Sequence, residues 1–227
     1  MRRTKFLKIG VVLSVLVALA GLGAVVGPPE QEARRPAIRP DLSEPDAEGK
    51  TPLLRAILAS EYGTFLDLLK NGADPNTRAW HGTTAVHLAA QHENVRYLEK
   101  LLDYGGNPNA IADRMRRTPI FNTLDTKRPK TRDLLIARGA DIEYADASRG
   151  RPLKHAASVM DTASVVRLLE AGADPTAVDD LGTTFQSSLF RADPSFMHWQ
   201  ARRRYRKVIA ILEERGITLD PNAERYR

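Results

Sequence analysis

The hydrophobic and polar positions divide the chain into three stretches. The first is an uncharged run from Ile9 to Val26, in which Ser14 is the lone hydroxyl, preceded by Arg2, Arg3, Lys5 and Lys8. Gly27-Pro28-Pro29 stops it, because proline lacks an amide donor and restricts the residue before it. At about 1.5 Å per residue the run predicts a helix of roughly 27 Å, just enough for a bilayer core. Residues 28–47 carry prolines at 28, 29, 36, 40 and 45, mixed charges and almost no large apolar side chain, which predicts an extended, solvated tether. In the third stretch paired aliphatics recur at a near-constant interval, as Leu68-Leu69, Leu101-Leu102, Leu135-Ile136 and Leu168-Leu169.

Two further signatures keep the same step. Gly72-Ala73-Asp74-Pro75-Asn76 returns as Gly105-Gly106-Asn107-Pro108-Asn109, as Gly139-Ala140-Asp141-Ile142-Glu143 and as Gly172-Ala173-Asp174-Pro175-Thr176, at intervals of 33, 34 and 33. Thr51-Pro52-Leu53, Thr84-Ala85-Val86, Thr118-Pro119-Ile120 and Arg151-Pro152-Leu153 share that phase. Threonine caps a first helix, and proline is tolerated in its first turn, where the amide has no partner. Ala56, Ala89 and Ala156, with Thr123 in the third copy, hold one small position on that helix. The paired aliphatics close a second helix, and the glycine after it suits a left-handed residue.

These signatures resemble the ankyrin repeat family over about residues 46–220. The resemblance implies an all-α solenoid of about five helix-turn-helix repeats joined by hairpin-like loops, preceded here by the hydrophobic export or anchor helix. The expected organisation is a signal anchor or signal peptide (1–27), a tether (28–47), four repeats (48–178), and a modified fifth repeat and cap (179–227). Two copies depart from the pattern. Thr126-Lys127-Arg128-Pro129-Lys130 is expected to interrupt the inter-helix region of the third. The fifth, from Gly182-Thr183-Thr184-Phe185 to Leu212 and Gly216, holds about 11 extra residues, roughly Phe190 to Ala201, and reads as a C-terminal cap.

Composition narrows the chemistry. Cysteine is absent, which excludes disulfide scaffolds, thiolate metal sites and thiol nucleophiles. His87 and His92 are five apart, not the i, i+4 pair of a helical metal site. The resemblance gives His87 a structural hydrogen bond between neighbouring loops. Asp179-Asp180 and Glu213-Glu214 are adjacent and point apart on a helix, and Ser158 has no nucleophile elbow. No catalytic, cofactor or metal residue is therefore expected, nor a small-molecule substrate; the expectation is a protein that is not an enzyme.

Binding is the remaining chemistry, and the resemblance places it on loop tips and first helices. By repeat phase the tips present Trp80 and His81, then Arg114, Met115 and Arg116, then Tyr144 and Arg149, types enriched at protein interfaces. The net charge of +6 is uneven: Arg114 to Lys154 contains 11 basic and five acidic residues, and Arg202-Arg203-Arg204-Tyr205-Arg206-Lys207 forms a second patch. With no stacking platform or reading motif, nucleic acid is not expected; an acidic protein face or anionic headgroups fit better. The basic flank favours a cytoplasmic N-terminus with everything after the run outside. Ala18-Leu19-Ala20 also reads as a cleavage site, although the apolar run continues for six residues beyond it, which favours a retained anchor. The sequence is thus read as a bacterial envelope protein, single-pass with a periplasmic domain or soluble in the periplasm. Small exported ankyrin proteins of bacteria, which it resembles, include supporters of periplasmic enzymes and immunity proteins against secreted toxins. A membrane-surface scaffold without one dedicated partner is the alternative.

Overall fold

Each threonine signature opens a short helix and each aliphatic pair closes a second one. The computed structural model describes Leu42 and residues 44–227; the expected export helix and nearly all of the tether fall outside the described residues. Among the described residues no helix is long and apolar enough to cross a membrane. The inner helices are α1 (Pro52–Leu58), α3 (Ala85–Gln91), α5 (Pro119–Asp125), α7 (Pro152–Ser158) and α9 (Phe185–Leu189). They alternate with the outer helices α2 (Tyr62–Lys70), α4 (Arg96–Asp103), α6 (Pro129–Ala137), α8 (Thr162–Glu170) and α10 (Trp199–Glu214). Inner helices stack in chain order from α1 to α9, α2 packs on α4 and α8 on α10. One continuous apolar core runs through the array, from Leu53 to Tyr226.

The small inner-helix position is buried in the first four copies: Ala56, Ala89, Thr123 and Ala156 are at most 3% exposed. Thr123 fits there because its hydroxyl donates to the Ile120 carbonyl, 2.7 Å away in its own helix. The outer helices end alike. The Gly72 amide donates to the Leu69 carbonyl and the Ala73 amide to the Leu68 carbonyl (3.1 and 3.0 Å), the paired bonds of a Schellman turn. That turn needs a left-handed residue, and Gly72 has φ of +93°. The same two bonds recur at Gly105, Gly139, Gly172 and Gly216, so one glycine signature is one device for ending a helix.

The third copy corrects an expectation. Thr126–Lys130 does not interrupt the repeat: Pro129 is the first residue of α6, where its missing amide costs nothing. Lys127 takes the left-handed turn (φ +52°) that Ser60 and Met160 take in the first and fourth copies. The second copy is the one whose inter-helix turn differs, with His92 extended and its ring accepting from the Asn94 amide at 3.0 Å.

The fifth copy closes the array. Residues 190–198 and a final 3-10 turn (Pro221–Tyr226) bring Phe190, Tyr205 and Tyr226 together. The two tyrosine rings stack at 4.4 Å, and Phe190 meets Tyr226 edge-on at 5.3 Å. Burial pushes the Tyr205 phenol up to about 12. Arg215 donates to the Leu169 and Ala173 carbonyls at the end of α8 (2.6 and 3.3 Å), tying the cap to that helix terminus.

The threonine caps are not equivalent. Thr51 Oγ1 accepts from the Leu54 amide at 3.3 Å. Thr118 Oγ1 is buried with no hydrogen-bond partner among the described residues; the residue three positions on is Phe121, where the second copy has His87. A buried hydroxyl without a partner is destabilising, whereas a capping hydroxyl contributes about 1 kcal/mol. Thr118→Val is therefore expected to be neutral or to stabilise by up to about 1 kcal/mol, and Thr51→Val to cost about 1 kcal/mol. Urea unfolding of both variants checks this; equal losses would contradict it.

Candidate functional site: the groove between hairpin tips and inner helices

Five hairpin tips, at residues 46–50, 79–83, 112–117, 146–150 and 179–183, connect the repeats. Each is closed by a backbone bond across its ends, from Asp46 to Lys50 (3.0 Å), Ala79 to Thr83 (2.7 Å), Ala112 to Arg117 (3.0 Å), Asp146 to Gly150 (3.0 Å) and Asp179 to Thr183 (3.1 Å). Three tips are also capped by their own aspartate. Asp46 accepts from the Lys50 amide at 2.8 Å, Asp146 from the Ser148 amide at 2.9 Å, and Asp179 from the Thr183 amide at 3.0 Å. The Thr183 amide, with Lys154 and Leu181 helping, pulls the Asp179 carboxyl down to about 2.

The second and third tips are held differently. The second has Ala79 in place of the aspartate, and Asp113 of the third ion-pairs with Arg78. Their order comes from bonds between tips. The Trp80 amide donates to the Gly49 carbonyl (3.0 Å), Asp113 to His81 (2.7 Å) and Ala147 to Met115 (2.9 Å). Arg116 and Arg149 stand where the first, second and fifth tips have Gly49, Gly82 and Gly182, and both are left-handed, with φ of +51° and +54°. A non-glycine residue there is strained by about 1 kcal/mol.

Below the tips, His87 ties α3 to the next loop. The Thr84 amide donates to His87 Nδ1 at 3.3 Å, and His87 Nε2 lies 3.2 Å from the Arg117 carbonyl. One fixed donor and one fixed acceptor select the Nε2–H tautomer. Burial is the main cause that lowers its pKa from 6.5. Folding therefore favours the neutral ring, the bond to the Arg117 carbonyl opposing the shift, so this contribution to stability is fully present above pH 6.5 and lost as pH falls through the folded-state pKa.

A groove of about 270 Å³ lies between the second and third tips and their inner helices. Trp80, Arg114 and Met115 form its rim, Leu88, Gln91, Asn122 and Asp125 its floor. Trp80 is 46% exposed and Met115 40%. A second groove of about 260 Å³ continues it across the fourth repeat, lined by Lys154, His155, Ser158, Asp179, Asp180 and Leu181 among others. Arg117 belongs to both grooves. Its guanidinium lies over the Phe121 ring (5.3 Å) and pairs with Asp146 at 3.0 Å and Asp125 at 3.5 Å. His155 Nε2 meets the other Asp125 oxygen at 2.6 Å, and that hydrogen bond is the main cause holding the Asp125 carboxyl below its usual value. The second groove is thus internally paired, and the first sets the apolar Trp80, Met115 and Leu88 beside polar Gln91 and Asn122, with Arg114, which forms no ion pair among the described residues, at its edge.

The structure gathers Trp80, Arg114 and Met115 around one groove. His81 and Arg116 stand exposed on the same two tips. Tyr144 does not join them: it is half-buried and packs against the core. Arg149 pairs with Asp180 of the following tip at 3.1 Å. The floor residues Leu88, Gln91, Asn122 and Asp125 were missed as site residues, although they fall four and seven positions after the capping threonines.

The basic excess between Arg114 and Lys154 also divides. Arg117, Arg128, Arg132, Arg138, Arg149, Arg151 and Lys154 each engage a carboxylate. Among the described residues Arg114, Arg116, Lys127 and Lys130 form no ion pair. The first two are on the third tip; the other two lie at the turn into α6. The expected single patch is therefore two small ones.

Comparison with known proteins agrees with this architecture. Residues 57–146 match the family profile of ankyrin repeats in three copies. The chain is 35% identical over 112 residues to B-cell lymphoma 3 protein of Homo sapiens, covering 47% of this chain and 24% of that protein. It is 28% identical over 181 residues to the nuclear factor NF-kappa-B p105 subunit of Gallus gallus, covering 78% and 17%. Inversin of Gallus gallus is 37% identical over 106 residues, covering 47% and 10%. The chain spans a quarter or less of the length of these relatives.

Proposed function

This chain is an ankyrin-repeat protein, and from that premise we propose that it is a non-catalytic module that holds one partner protein in the groove between its second and third repeats. Ankyrin repeats imply protein–protein interaction; the finer assignment rests on one juxtaposition. Trp80 and Met115 flank Leu88 in a groove of about 270 Å³, with the unpaired Arg114 and Arg116 beside it. An aromatic anchor with Met115 and Leu88 beside it and cations at its edge suits a segment that inserts an apolar side chain among them and presents carboxylates to the arginines. Two tips bonded to their neighbours hold that arrangement before any partner arrives, which lowers the ordering cost of binding.

The compartment belongs to the same proposal. Four basic residues before the uncharged Ile9–Val26 run support an exported, membrane-anchored or periplasmic protein of a bacterial envelope. A periplasmic enzyme in need of support, or a secreted toxin to be blocked, is a partner of the kind expected there.

The joint variant Trp80→Ala, Arg114→Glu, Arg116→Glu is expected to weaken capture of the partner from envelope extract by about tenfold or more, with helical circular dichroism unchanged. A photo-crosslinking residue at Met115 should trap the same protein, and one at Glu99 on α4 should not. Undiminished capture by the variant would overturn the site. Alkaline phosphatase fused after Arg227 is expected to be active in a bacterial host; an inactive fusion would overturn the export assignment and leave the groove assignment standing.

A further inference from the structure

The last outer helix is longer than the repeat requires. α8 has nine residues and α10 sixteen. Both end two residues before their glycine, Glu170 before Gly172 and Glu214 before Gly216, so the seven additional residues extend α10 at its N-terminus. The extension carries Trp199, Gln200, Arg203 and Arg204, and Lys207 continues the same stripe; together they border a shallow depression of about 410 Å³. At 3.6 residues per turn these positions share one face. Tyr205, Val208, Ile209 and Leu212 bury the other.

Trp199 is 61% exposed, more than any other aromatic among the described residues. Arg203 and Arg204 are exposed and form no ion pair among the described residues, while Lys207 pairs with Glu170. An indole beside cations on one helical stripe suits the boundary between water and a charged bilayer. The ring sits at headgroup depth and the long basic side chains reach the phosphates. We propose that this face of α10 is a contact surface for anionic lipid headgroups of a bilayer.

Two features favour a bilayer over a macromolecular partner. The depression is bordered by one aromatic and otherwise polar side chains, without the cluster of apolar neighbours that encloses a protein hot spot. A lone indole also lacks the succession of aromatic faces on which single strands stack. Each cation near an anionic surface raises partitioning about fivefold, so Arg203 and Arg204 together give about 25-fold, screened by salt. That is a reversible second attachment rather than an anchor. It has most effect on a chain already held near a membrane, as the Ile9–Val26 run would hold this one.

The test uses the full chain carrying Trp80→Phe, which leaves Trp199 as the only tryptophan. Vesicles of phosphatidylcholine, with or without about 30% phosphatidylglycerol, contain brominated acyl chains that quench indoles at the bilayer. The expected result is quenching of Trp199 in the anionic vesicles, reversed by high salt, and at least about tenfold weaker for Arg203→Glu, Arg204→Glu. Circular dichroism of that variant checks its fold. No quenching in anionic vesicles, or equal quenching of the charge-reversed variant, would overturn the proposal. So would tighter binding of a DNA duplex than of anionic vesicles at the same salt, abolished by the same reversal. Association with neutral vesicles reports the Ile9–Val26 run separately, so failure of the anchor and failure of the α10 face are distinguishable.

Discussion

A pair of helices seven and nine residues long is too short to persist in water by itself. Everything in this protein follows from the remedy, the burial of each pair against its neighbours. Direct polar bonds fix the spacing between copies. Asn76 donates to the Gly105 carbonyl at 2.9 Å and accepts from the Asn107 amide at 2.7 Å. Asn109 does the same with Gly139 and Asp141 (3.0 and 2.7 Å). Glu143 continues the series by accepting from the Asp174 amide at 2.9 Å. In the fourth copy Thr176 takes that position, and Arg215 of the cap covers the end of α8 instead. The apolar core supplies the driving force, and these stitches set the register.

Register then determines the site. The second and third tips lack the aspartate cap of the others, so their shape depends on bonds to adjacent tips and on the His87 bridge to Arg117. A groove built from two repeats, with Trp80 from one and Met115 from the next, exists only while the stack is intact. The groove and the α10 stripe proposed to meet lipid use different residues.

The repeat phase, the prolines at helix starts, the glycines after outer helices and the expanded fifth copy were legible because each is a local rule with a local residue type. The third copy misled for a local reason: a lysine and a proline in a turn look disruptive until one takes a left-handed conformation and the other the first helical position. The charge pattern was not legible in the same way. Arg117 meets Asp146, Arg138 meets Asp103 and Arg149 meets Asp180, partners about one repeat apart, so a sum along the sequence overstated the free positive charge. Tyr144 read as a tip residue because phase gives position but not burial. The groove floor was in phase all along, yet Leu88, Gln91, Asn122 and Asp125 are of no uncommon type, and only the juxtaposition with Trp80 and Met115 marks them.

The central claim is that the stack holds the groove ready-made, and the exchange rates of three backbone amides test it most directly. The Trp80, Asp113 and Ala147 amides carry the bonds between tips, and local opening would expose them. In amide hydrogen exchange of the unliganded protein they are predicted to exchange as slowly as amides within the inner helices α3 and α5. Exchange of these three at the rate of an unstructured peptide, while α3 and α5 stay protected, would show that the tips are not held by their neighbours and would contradict the account.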